Sequence, residues 1–356
     1  MREQQEKVSA CARREEVAMV TRNDPLRTPI CQLLGIQCPV LQAGMGLIAR
    51  GPLAAAVSEA GGLGVIGAGH LTLDELREEI RHVKSRTDRP FGVDILFGQV
   101  AQSSDPSVAQ YTDEIKRQIE IVLEERVPVL IAGLGNPLGV IPEAHALGMK
   151  VMAVVGNVKQ ARRVAADGVD AVIAQGHEAG GHTGRVGSIV LTPAVVDALD
   201  IPVVAAGGFA DGRGLVAALA LGATGIWMGT RFVASREAMA HQNYKGKIVA
   251  VDEEGTVVTR AHSGKPCRLL KNGFTAYWEE HAAEIRPYPA QLVEVGRPAS
   301  IAARLEGDIE NGSAPAGQVS GIIHEVKGAG DIVREVIAEA RTLLARLEGA
   351  VSAVVV

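Results

Sequence analysis

The chain has 356 residues, 47% of them hydrophobic, and carries 36 Lys and Arg against 41 Asp and Glu for a formal charge of −5. That composition supports a large buried core and excludes a disordered chain, while the mild acidity, the lack of any basic run and the 3% aromatic content exclude a nucleic-acid-binding surface. Cys11, Cys31, Cys38 and Cys267 never approach C-x-x-C spacing, so they read as isolated thiols rather than a zinc site or disulfide framework.

In chain order, residues 1–24 form a charged extension, expected as a short helix or loose arm without chemistry of its own. It lacks the apolar stretch of a secretory signal, and no later run is long enough to span a membrane; a cytoplasmic location is the expectation. From Cys38 one unit recurs: a short β-branched run ending in glycine, then a stretch rich in Ala, Leu, Glu and Arg. The predicted strands are 38–45, 63–69, 90–97, 128–135, 150–156, 171–176, 202–208 and 225–232. Between them lie amphipathic stretches such as LTLDELREEIRHVKSR, where Leu73, Leu76, Ile80 and Val83 share one helical face.

Strand-sized runs alternating with helices mean parallel strands and helical crossovers, and eight such units close into a (β/α)8 TIM barrel of the α/β class. A minimal barrel needs about 250 residues. The surplus falls late in the chain, which divides into the extension at 1–24, a barrel body at 25–232, an inserted cap at 233–327 between the eighth strand and the final helix, and a closing helix with its tail at 328–356.

Barrel active sites lie at the C-terminal ends of the strands. Gly44, Gly46, Gly69, Gly135, Gly176, Gly180, Gly181, Gly207, Gly208 and Gly229 fall at or just past predicted strand ends and are expected to converge on that rim. AAGGFADGRG after the seventh strand and MGTRF at the eighth open loops whose amides and following helix N-termini suit a phosphate, although such glycines also simply relieve crowding in tight turns. Two look-alikes fail. GLGVIG at 62–67 places its glycines inside a predicted strand, and HEAGGH has one residue too many, and too much glycine, for a zinc-binding H-E-x-x-H helix, so no metal site is expected. After the sixth strand, QGHEAGGHTG reads as a flexible loop in which Gly180 and Gly181 admit a ligand and His182 offers a group that titrates near neutrality.

QGHEAGGHTG, AAGGFADGRG, MGTRF and PVLQAGMG, in their order along about 38–235, resemble the nitronate monooxygenases, formerly 2-nitropropane dioxygenases. GTVVTRAHSGKPCRLLKN and APAGQVSGII extend the resemblance over most of the chain after residue 25. The resemblance implies one non-covalent FMN. Ala43, Gly44 and Met45 would line the flavin ring, and Gln175, Gly180 and Gly181 would touch ring and ribityl chain. Gly207, Gly208, Gly229 and Thr230 would cradle the phosphate, and Gln318 would join them from the cap. His182 matches the catalytic histidine, whereas His177 falls at a variable position and reads as solvated or standing behind the site. Asp94 stands where the family often carries Asn; it would contact flavin or pair locally at its strand end, and if ionised it would disfavour a negative reduced ring.

The activity implied is oxidation of an alkyl nitronate by O2 to a carbonyl compound and nitrite, with His182 positioning the anion or deprotonating a neutral nitroalkane. A second reading is an FMN-dependent NAD(P)H reductase of a quinone or enoyl thioester, for which Arg185, Arg260, Lys265, Arg268 and Lys271 are candidate contacts to a phosphorylated partner, or else ordinary surface charges. A third is a non-catalytic barrel binding a phosphorylated ligand. A homodimer is the commonest arrangement to expect.

Overall fold

The computed structural model describes residues 24–97 and 111–354, so the structure expected for the N-terminal extension lies outside the described residues. Its principal strands are β1 (Val40–Gln42), β2 (Gly64–Gly67), β3 (Phe91–Phe97), β4 (Val129–Gly135), β5 (Lys150–Val155) and β6 (Ala171–Gln175), then a two-residue β7 (Gly181–His182), β8 (Val203–Ala206) and β9 (Gly225–Met228). All but β7 join one parallel sheet in the order β1-β9-β8-β6-β5-β4-β3-β2, with helices between successive strands.

The seam between β1 and β2 is closed by a parallel bridge, Leu41 to Leu63, and by the Gln42 amide donating to Leu63 O at 2.9 Å. Gln42 is wholly buried, and its side chain completes the join: Nε2 donates to Val65 O at 3.0 Å and Oε1 accepts from the Val65 amide at 2.9 Å. An amide side chain standing in for two ladder bonds satisfies polar groups that burial would otherwise leave exposed to a penalty of about 1–3 kcal/mol each. The expected (β/α)8 barrel is therefore the observed fold.

Local rules explain the elements. The stretch with Leu73 forms the helix Leu73–Arg86, started by a Thr72–Glu75 capping box and burying Leu76, Ile80 and Val83. Alternate strand residues, among them Leu41, Val65, Val129, Ile131, Met152, Ile173, Val204 and Trp227, fill the barrel interior. Ile30, Cys31 and Leu34 from the helix Pro29–Leu34 pack into the same cluster, an element the sequence reading did not anticipate. The glycines of GLGVIG serve packing: a Cβ on Gly64 would collide with the Ala54 backbone of the neighbouring helix.

One boundary is corrected. The eighth strand stops at Met228, not 232, because Gly229 adopts helical dihedrals and its carbonyl accepts from the amides of Phe232 (2.8 Å) and Val233 (3.0 Å), making Thr230–Val233 a helical turn. Beyond it the chain covers the barrel mouth. Strands β10 (Thr256–Thr259) and β11 (Cys267–Leu270) pair antiparallel, and β11 pairs with β7, aligning Cys267 with His182 and Arg268 with Gly181. The last helix, Ala329–Val354, packs against Gly212–Ala220 and Gly51–Glu59, the helices that follow β8 and β1.

Candidate active site

A cavity opens at the C-terminal ends of the strands, beneath the segment that follows β9. Its barrel side is lined by Ala43, Gly44, Met45, Asp94, Gln175, Gly180, Gly181, His182, Gly207, Gly208, Gly229 and Thr230. Those are the predicted site residues except Gln318, whose side chain is exposed and whose amide donates to Glu178 O at 3.0 Å; its neighbours Gly317 and Val319 reach the cavity instead. Gly69, Gly135 and Gly176 stay off this wall. Gly176 is a packing glycine, since a Cβ there would strike Ser188.

At the ends of β8 and β9 the wall is backbone. Gly207 and Gly208 have φ of +89° and +87°, which side-chain-bearing residues rarely adopt, and a Cβ on Gly207 would lie 3.0 Å from Gly176 O. Thr230 opens a helical turn, so its amide has no acceptor within that turn. Its hydroxyl oxygen accepts from the Gly317 amide at 2.9 Å, which leaves the hydroxyl proton to donate elsewhere. This is a cradle of small residues and donors of the kind that holds a phosphate.

Deeper in, Asp94 is 6% exposed, and its Oδ1 has no hydrogen-bond partner. Gly44 and Gly133 flank the carboxyl, and a Cβ on either would overlap it. Burial pushes the Asp94 carboxyl well above its ordinary range, favouring the protonated form that can donate a hydrogen bond, while a backbone hydrogen bond from Gly133 opposes the shift. No cation lies within ion-pair distance of Asp94 among the described residues, and the backbone hydrogen bond from Gly133 is a local contact of its carboxyl.

The loop after β6, expected to be flexible, is tied down. Gly181 and His182 are strand residues against β11, and Gln175 Nε2 donates to His182 O at 2.7 Å. Glu178 accepts from the Ser188 amide at 3.0 Å. His177 Nδ1 lies 2.8 Å from Gly184 O and its carbonyl accepts from Arg268, so it holds the loop's shape rather than facing the cavity. His182 Nε2 lies 2.7 Å from Ser263 Oγ, which commits one ring nitrogen to the cap and leaves the other for a ligand. Desolvation, helped by the charges of Lys265 and Arg304, lowers His182 to about 4, so the ring is neutral at pH 7.

The cavity is also lined by residues not anticipated as site residues: His70 and Trp227 from the barrel, and Tyr244, His262, Cys267 and Arg304 from the segment beyond β9. His262 stands edge-on to His182 with ring centroids 5.7 Å apart, and its Nδ1 lies 2.9 Å from Ser313 Oγ. His262 and Ser263 lie inside the AHSGKPC stretch that carried the family resemblance, which was a usable signal; Arg304, in an ordinary-looking amphipathic stretch, offered none.

Of the five candidate cations, Arg268 is buried and spent on His177 O and Thr256 Oγ1, Arg260 Nε donates to Gly264 O, and Lys271 lines neither this cavity nor the groove beside it. Arg185 and Lys265 do line that groove, together with Arg163. It joins the cavity through Gly133, Leu134, Val154, Gln175 and His182. Among the described residues no metal-binding cluster occurs and no helix is long and apolar enough to cross a membrane, while Cys31, Cys38 and Cys267 are buried free thiols.

The nitronate monooxygenase family profile matches residues 27–339. A (3aS,4S,5R,7aS)-5-hydroxy-7a-methyl-1-oxo-octahydro-1H-indene-4-carboxyl-CoA dehydrogenase of Mycobacterium tuberculosis is 35% identical over 359 aligned residues, covering 90% of this chain and 97% of that protein. The structure of FabK from Thermotoga maritima superposes with a TM-score of 0.81 at 42% identity, covering 91% of this chain and 99% of the other. A nitroalkane oxidase from Streptomyces ansochromogenes superposes with a TM-score of 0.78 at 33% identity, covering 88% and 99%.

Proposed function

The chain belongs to the nitronate monooxygenase family and is an oxidoreductase, and from that premise we propose that it binds FMN and oxidises alkyl nitronates with O2 to carbonyl compounds and nitrite. The observation that carries this reading is His182, a neutral imidazole held by Ser263 at the edge of a cavity whose opposite side is a glycine-built phosphate cradle.

The residues present fit FMN. Gly207, Gly208, Gly229 and Thr230 would hold the phosphate, and Ala43, Gly44, Met45, Gln175, Gly180 and Gly181 would meet the ring and ribityl chain. Asp94 Oδ1, buried without a partner, is available to hydrogen-bond the flavin. When bound, FMN supplies the electron acceptor for the nitronate carbon and passes those electrons to O2.

The protein's part is to bind, orient and desolvate. An imidazole whose pKa lies near 4 is a weak base toward a carbon acid, so the substrate arrives already ionised, and His182 orients the nitronate rather than forming it. An arriving anion offsets the Lys265 and Arg304 charges that hold that pKa down. Tyr244, Leu292, Pro315 and Val319 cover the cavity and keep bulk water from the reacting carbon.

A second reading is favoured by the adjoining groove. Arg163, Arg185 and Lys265 have no carboxylate partner among the described residues and suit the phosphates of a nicotinamide nucleotide or an acyl-CoA, so a reductase or dehydrogenase acting on a thioester is the alternative. Anaerobic mixing of the yellow protein with an alkyl nitronate, NADH and NADPH in turn separates the two. Flavin bleaching by the nitronate alone supports nitronate oxidation; rapid bleaching by a nucleotide with the nitronate inert replaces it with the second reading.

A further inference from the structure

The cavity contains a charge that the FMN site and His182 leave unexplained. Arg304 is half-buried and lines the cavity, and its Nε is fully buried. Its one hydrogen bond from the side chain runs from Nη1 to Gly46 O at 3.3 Å, its Nε has no partner, and no carboxylate lies within ion-pair distance of it among the described residues. Burying a cation without a counter-charge is costly, and a guanidinium does not escape by losing its proton at neutral pH.

The groups around it offer no hidden anion. Burial pushes the Tyr244 hydroxyl and the Cys267 thiol up to about 12, so both are neutral. His70, His182 and His262 also feel the Arg304 charge, and desolvation together with that charge lowers all three, so they too are neutral at pH 7. Burial favours the uncharged form of Asp94, the one carboxyl on the cavity wall. One permanent positive charge therefore faces a cavity lined by neutral hydrogen-bonding side chains, and it sits within electrostatic reach of His182.

We propose that Arg304 is an oxyanion-binding residue: its guanidinium takes the negatively charged oxygen of the reacting molecule, with His70, His182 and His262 as neutral neighbours that share the load. The guanidinium presents a planar fork of donors, which matches a flat O–N–O or O–C–O group held by two parallel hydrogen bonds. A negatively charged oxygen is common to a nitronate, which offers two coplanar oxygens to the fork, and to the enolate of a thioester, which offers one, so the inference deepens the oxidoreductase reading of this cavity without depending on which of them reacts. It also opposes one event there. A dihydronicotinamide ring that gives up hydride becomes cationic, and Arg304 disfavours that product beside His182.

The test is calorimetric titration of the flavin-loaded protein with sodium nitrate and sodium propionate, planar monoanions that undergo no turnover. Wild-type protein is expected to bind both with one site per chain, Arg304→Gln to weaken them at least tenfold, and Arg304→Lys about threefold, because the charge survives while the fork is lost. Removing the charge should also move the titration of His182, followed by NMR, upward toward 6.5, a change that loss of a mere strut to Gly46 would not produce. Failure of wild type to bind either anion, or unchanged affinity in both variants, overturns the proposal. If Arg304→Gln does not fold, Arg304→Lys decides it alone: weaker binding supports the subsite and wild-type affinity overturns it.

The kinetic arm identifies the source of the oxyanion, since KM rises in Arg304→Lys for the nitronate or for the thioester, whichever is bound there. Nitrate binding that depends on Arg304 in a protein that does not turn over nitronates keeps the subsite and removes the nitronate reading.

Discussion

The cavity has two walls made by different means. The barrel side is built from backbone: glycines at the ends of β8 and β9 line the space, and Gly44 and Gly133 make room for the Asp94 carboxyl. The covering side is built from side chains, with Arg304, His262 and Tyr244 brought in by a segment that has its own small sheet. On the glycine wall burial favours the uncharged form of the one carboxyl, Asp94, whereas the covering wall carries the guanidinium. The difference teaches that a cofactor's shape can be held by local backbone geometry, while polarity toward a reacting group comes from residues distant in sequence. His182 belongs to both walls, since it lies in a strand-end loop and is pinned by β11 and Ser263.

The comparison breaks most visibly at that shared residue. His182→Ala is expected to lower kcat/KM for an alkyl nitronate by about 10²- to 10³-fold, the range for loss of one preorganised hydrogen-bonding group aimed at the reacting anion, while flavin content per chain stays unchanged. Steady-state rates beside flavin absorbance measure both, and parallel loss of flavin would show that His182 serves the cofactor wall instead.

Next comes the glycine wall itself. Gly207→Val introduces a β-branched residue at φ +89° with its Cβ about 3.0 Å from Gly176 O. It is expected to cost about 1–3 kcal/mol of stability. Gel filtration should then strip the flavin from the variant but not from wild type; full retention would contradict a phosphate cradle at this turn.

The two walls also respond to pH with opposite signs. His70, His182 and His262 have pKa values below 6.5 in the folded protein, and the value for His182 is about 4. As the pH falls through 6.5 the unfolded chain takes up protons that the folded chain refuses, so stability drops on the acid side. Asp94 is raised above 3.8, so the folded chain keeps a proton that the unfolded chain releases, and this contribution is lost as the pH rises from 3.8 through the folded value. Urea midpoints collected from about pH 4 to 8 should show His262→Gln flattening the acid limb and Asp94→Asn removing the loss toward higher pH. Identical profiles in both variants would dissolve the distinction between the walls.

The smallest effect is expected at Ser263. Ser263→Ala removes the hydroxyl 2.7 Å from His182 Nε2 and should cost about 0.5–1.5 kcal/mol of transition-state stabilisation, several-fold in kcat/KM. Comparing KM and kcat across pH checks it, because release of the ring should shift the acid limb of the kcat profile.

Much of this architecture was legible before any coordinates. The eight barrel strands follow from short β-branched runs alternating with helical periodicity, and the helix Leu73–Arg86 buries Leu76, Ile80 and Val83 of the apolar face read from the sequence. The eighth strand was read too long because MGTRF is apolar enough to extend a strand, while the hydrogen bonds from Gly229 O start a helical turn. The loop after β6 was read as flexible because glycine is permissive; its order comes from pairing with β11, some 85 residues later in the chain.

What the sequence determined by itself is what local chemistry controls: the alternation of strands and helices, the glycines wherever a strand end must turn sharply or admit a ligand, and the position of His182 among them. What only the tertiary structure decided is the state and company of the charged groups. Arg304 reaches Gly46 across a separation of 258 residues, and His182 reaches Ser263 across 81. An arginine in an amphipathic stretch reads the same whether it ends in water or in a cavity, and an aspartate reads as charged until burial makes it neutral. Desolvation is a property of the packed surroundings, so it enters only when distant segments meet.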